Sequence, residues 1–126
     1  MNNAEMRARL TLIGLSLKQL ATITGWDYRD LRREANGNRE ISERTADMIE
    51  GLEAAAERDL TYMHALADAG RPIALPHFSD PGTSPYLNEG TTLEGMPGSY
   101  YHALAGAVLA TSDGASLTYR DSSEPR

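Results

Sequence analysis

Tyr28, Arg29, Arg32 and Arg33 follow one another at spacings of 1, 3 and 1, and theirs are the side chains in this sequence best suited to act together chemically. An arginine guanidinium is a planar fork of N–H donors that meets guanine O6 and N7 together or clamps a phosphate. A tyrosine near the start of the same helix can touch a thymine methyl or a phosphate. On a helix the four share one outward face, with Asp30 and Glu34 one step off it. A solvated surface helix usually balances its signs, and this one gathers cations on one side.

Other chemistry finds little support. The three histidines, His64, His77 and His102, stand at no i, i+4 spacing, and no acidic triad surrounds them. The absence of cysteine rules out thiolate ligands, thiol nucleophiles and disulfides, which fits a reducing cytosol. No catalytic residue, metal or cofactor is expected, and Tyr100-Tyr101 reads as core or interface packing.

The arginine face needs elements to hold it. Asn3 is the expected cap of a first helix to about Ile13, with Met6, Leu10 and Ile13 as its buried stripe and Gly14 ending it. Ser16 with Gln19 three residues on forms a capping box for a short second helix, apolar at Leu17, Leu20, Ala21 and Ile23 and ending at Gly25. Asp27 caps the next helix, Tyr28 to Ala35, and Asn36-Gly37 supplies the left-handed residues that stop it. Gly25 is the residue free to take positive φ between these two helices, and Leu20, Ala21, Trp26 and Leu31 are placed to lock them together.

Ser42 then caps a long helical stretch from Glu43 to about Ala69, with Thr45, Ile49, Leu52, Ala56, Leu60, Met63 and Leu66 on one side. Gly51 leaves open whether it is one helix or two. After Gly70, Arg71 to Phe78 reads as a short edge strand and Ser79 to Gly98 as a long surface loop with one turn near Tyr86 and Leu87. Ser99 is the expected cap of a helix through about Ala110, apolar on nearly every face and so in need of a partner. Asp113-Gly114 reads as a turn, Ser116 to Tyr119 as a strand and Asp121 to Arg126 as a disordered tail.

The net charge of -6 disfavours a polyanionic partner, but it is unevenly spread. Up to residue 44 there are eight Lys and Arg against six acids, a balance of +2; beyond it four Arg face twelve acids, a balance of -8. The pattern is a cationic face on an acidic, solubilising body. No window reads as a signal peptide or a membrane span, so a cytoplasmic protein is expected.

From Ser16 to Gly37 the chain resembles the lambda-repressor-like (Cro/CI, Xre) helix-turn-helix family: a capped second helix, Gly at the turn, an apolar residue inside the third helix, then Asn-Gly and the basic loop Asn38-Arg39. The resemblance implies base reading by Tyr28, Arg29 and Arg33, with Arg32 facing the backbone. The phosphate-contacting position after the second-helix cap is Leu17, so that contact passes to Ser16 or Lys18, and a position commonly filled by a large aromatic is Glu34. The later order of long helix, Gly-Arg-Pro, Ile-Ala-Leu strand, loop, aromatic-rich helix and final strand is similar to anti-CRISPR-associated (Aca) phage and plasmid autoregulators, which implies a C-terminal dimerisation module.

The expectation is therefore a mainly α protein. Residues 1–69 form a helix-turn-helix DNA-binding domain with a long fourth helix, and 70–120 a small α+β dimerisation module, ahead of the tail at 121–126. The expected function is a homodimeric, non-enzymatic repressor or autoregulator on double-stranded DNA with an inverted-repeat operator. The alternative is an antitoxin or protein-binding inhibitor whose acidic C-terminal half grips a protein partner while DNA binding is secondary.

Overall fold

A computed structural model of the chain describes residues 1–76 and 96–119. Five helices hold 66% of the described residues, so the protein is mainly helical, with one small two-stranded parallel sheet. In chain order the elements are α1 (Asn3–Leu12), α2 (Leu17–Thr24), α3 (Tyr28–Ala35), α4 (Glu43–Asp68), β1 (Ile73–Leu75), α5 (Gly98–Thr111) and β2 (Leu117–Tyr119).

Side-chain caps set most helix starts. Ser16 and Gln19 form the expected reciprocal capping box, and Asp27 and Ser42 accept from the backbone N–H of Arg29 and Thr45. At the first helix the cap is Asn2 and not Asn3: Asn2 accepts from the Glu5 N–H at 2.8 Å. This start puts the acid Glu5 in the first turn, where the helix dipole favours it. After α3 only Gly37 is left-handed, at φ +79°, whereas Asn36 keeps φ −90° and closes the helix with a bond to the Arg32 carbonyl. Helix α4 runs unbroken through Gly51 for 26 residues, roughly 39 Å at 1.5 Å per residue.

Helix α5 departs from expectation twice. Its N-cap is Pro97, which has no side-chain bond to offer. Ser99 is buried instead: it donates to the Gly14 carbonyl at 2.7 Å and accepts from Gln19 Nε2 at 3.0 Å. The helix is also buried on one side only. Tyr100, Tyr101, Leu104, Ala105 and Val108 point inward, while Gly106, Ala107, Leu109 and Ala110 are exposed. Its buried side packs on α4 and β1 of the same chain, so burying it does not in itself require a second molecule.

The two strands likewise pair with each other, in parallel, with Ile73 opposite Leu117 and Leu75 opposite Tyr119. Parallel neighbours need a crossover, and α5 provides it. His102 of α5 ties this unit together, with Nε2 2.8 Å from the Pro76 carbonyl oxygen and its ring stacked on Tyr119. The strands are shorter than the sequence suggests; the expected extension to His77 and Phe78, the loop with its turn near Tyr86 and the tail after Arg120 lie outside the described residues. One core cluster runs the length of the molecule, from Met6, Leu20, Leu31 and Ile49 to Met63, Ile73, Tyr100 and Val108. Each fully buried large apolar side chain contributes about 1.5–3 kcal/mol, and α4 gives the cluster Ile49, Leu52, Ala56, Met63 and Ala67. No helix among the described residues is long and apolar enough to cross a membrane.

Candidate nucleic-acid interface

Helix α3 buries Leu31, Glu34 and Ala35. At roughly 100° per residue, Arg29 and Arg33 then project from the side opposite those three, with Arg32 and Tyr28 on one flank and Asp30 on the other. Arg29, Arg32 and Arg33 are exposed and Tyr28 is half-buried. The helix is held at this attitude by Leu20 and Leu31, both in the core, with Ala21 and Trp26 partly buried against it. Between α2 and α3, Gly25 adopts φ +75° and donates to the Ala21 carbonyl, while Thr24 Oγ1 donates to the Leu20 carbonyl and accepts from the Trp26 N–H.

The acids near this face have work elsewhere. Asp27 caps the helix. Asp30 pairs with Arg39 of the following loop at 3.3 Å. Glu34 stands where the resemblance leads one to expect an aromatic, and it is buried because its carboxyl accepts from the Ser42 N–H at 2.6 Å and from Thr45 Oγ1 at 3.1 Å. It therefore joins the end of α3 to the first turn of α4. Among the described residues, Arg32 and Arg33 have no ion-pair partner, and Arg29 is only 3.9 Å from Asp27 with its side chain 82% exposed.

The cations up to residue 44 divide by task. Arg7 caps the far end of α3 by donating to the Ala35 carbonyl at 2.7 Å and to Asn36 Oδ1, and Arg9 pairs with Glu53 of α4. The other six, Lys18, Arg29, Arg32, Arg33, Arg39 and Arg44, are exposed. Lys18 and Tyr28 meet across α2 and α3, Nζ lying 5.9 Å from the ring centroid. Ser16 and Asn38, the other expected residues, line two cavities. Ser16 has its hydroxyl engaged in the capping box and lines a cavity with Thr11, Gly14, Gln19, Ser99 and His102. Asn38 and Arg39 line another, with the N-terminal residues Met1 to Asn3 and with Glu34.

Sequence reasoning passed over Arg44, whose guanidinium carbon lies 3.9 Å from the Trp26 ring centroid. The signal was a cation in the first turn of a helix, where the dipole disfavours it. Among the described residues no group of three or more His, Asp or Glu is arranged to hold a metal ion. Compared with known protein families, with curated proteins and with solved structures, the chain shows no significant match.

Proposed function

We propose that the protein is a sequence-specific DNA-binding repressor or autoregulator of the lambda-repressor-like helix-turn-helix kind, with α3 as the helix that enters the major groove. The observation that carries this reading is the arginine face of α3, exposed and opposite the core, with Asp27, Asp30 and Glu34 all engaged in capping or pairing. A helix in that state presents to a polyanion the guanidinium forks of Arg32 and Arg33, which form no ion pair among the described residues. It acts as a homodimer on an inverted repeat, each α3 entering one of two successive major grooves about 34 Å apart.

Arg33 and Arg39 test the assignment because they differ in kind. Arg33 is placed to read a base edge, and Arg39, in the loop after Gly37, to meet phosphate. Arg33→Ala is expected to cost roughly 1–3 kcal/mol on the preferred operator, selected from a random duplex library, and to flatten the preference at one base pair. Arg39→Ala is expected to weaken all sequences nearly alike and to lower the salt slope by about one. Equal losses for Arg33→Ala on operator and random DNA, or no loss on either, would sink the reading.

A further inference from the structure

We propose that Arg44 is an additional DNA-backbone contact, a phosphate anchor held in position by stacking on Trp26; this rests on the DNA-binding reading above. The guanidinium lies over the indole, its carbon 3.9 Å from the ring centroid. Trp26 is partly buried against the core and immediately precedes Asp27, the cap of α3. A cation that belongs by sequence to α4 is thereby fixed at the end of α3 that carries Tyr28 and Arg29.

Stacking occupies the faces of a guanidinium and leaves the N–H donors in its plane free. Among the described residues Arg44 makes no ion pair, and it is exposed. Its place on α4 does nothing for that helix, since a first-turn cation opposes the dipole. What the stack does provide is order. An arginine held against an indole face loses less conformational freedom on meeting a phosphate than a free surface arginine does. A contact made from the flank of α3 to the backbone is indifferent to sequence, so it adds affinity to every duplex.

The test uses the full chain and a random-sequence duplex, with binding followed by anisotropy as NaCl is varied. Arg44→Ala is expected to reduce the slope of log affinity against log salt by about 0.9, the contribution of one phosphate contact. Arg44→Lys keeps the charge and loses the planar stack, so the slope should survive while affinity drops severalfold. Trp26 is the only tryptophan in the chain, and its emission should change on DNA addition in the wild type and not in Arg44→Ala. An unchanged slope in Arg44→Ala, beside a wild type that binds, overturns the anchor and leaves the DNA reading intact. A wild type that binds no duplex at any salt overturns both.

Discussion

Gly14→Ala is expected to cost more than about 4 kcal/mol in equilibrium denaturation, a loss in the range seen only for severe core damage, whereas Gly25→Ala should cost about 1–2 kcal/mol. Both glycines stand at φ +75°, which penalises any residue with a Cβ by roughly that smaller amount. They differ in what surrounds them. A Cβ on Gly14 would come within 2.4 Å of the Ser99 carbonyl oxygen and 2.9 Å of the Ala103 Cβ, while one on Gly25 meets nothing within 4 Å. The Ser99 oxygen belongs to backbone that is itself held by the bond from Ser99 Oγ to the Gly14 carbonyl, so it cannot step aside cheaply. Similar losses at the two positions would show that the corner between α1 and α2 does not seat α5 as described.

The second large effect lies between α4 and α5. The Tyr100 hydroxyl donates to Asp59 Oδ2 at 2.6 Å, and both residues are buried. Tyr100→Phe leaves that carboxyl without its donor and should destabilise the protein by about 1.5–3 kcal/mol at neutral pH. The neighbouring Tyr101 hydroxyl is buried with no hydrogen-bond partner among the described residues, so Tyr101→Phe should be neutral or stabilising. Burial pushes the Asp59 carboxyl above its ordinary range, and the Tyr100 bond and Arg58 pull it back only in part. The folded state thus holds this proton more tightly than the unfolded state does. Its contribution to stability is complete below the ordinary carboxylate range and is lost as pH rises through the elevated folded value. Asp59→Asn keeps an acceptor for Tyr100, so thermal denaturation between pH 4 and 8 should show less loss on the alkaline side than the wild type. A wild-type and mutant pair with parallel pH profiles would contradict this.

What could be seen in the sequence was what depends on neighbours a few residues away. The Ser16-Gln19 box, the Asp27 and Ser42 caps and the breaks at Gly14, Gly25, Gly37 and Gly70 follow from backbone rules, and each is in place. The outward set on α3 follows from helical period alone, and so does most of the buried stripe of α4. Ser99 reads as a cap because a serine before an apolar run fits that pattern, but its actual partners, Gly14 and Gln19, are 80 or more residues away. Glu34 reads in the sequence as a departure from the family pattern because nothing local points to Ser42 and Thr45 as what it holds. The contact of Arg44 is invisible in the sequence for the same reason, its partner Trp26 lying on the far side of α3 in sequence.

The parallel pairing of β1 with β2 sets an order of events during synthesis. Helices α1 to α4 can gather their part of the core as soon as they emerge, but Ile73 and Leu75 meet the strand they pair with only once Leu117 to Tyr119 have been made. At the usual 5–20 residues per second that interval lasts several seconds. Throughout it the nascent chain carries an apolar strand edge, and until α5 has been made the Asp59 carboxyl on α4 is without its Tyr100 donor. A ribosome paused within that stretch would therefore display the species most open to chaperone capture and proteolysis, and the arrival of β2 is the latch that ends the exposure.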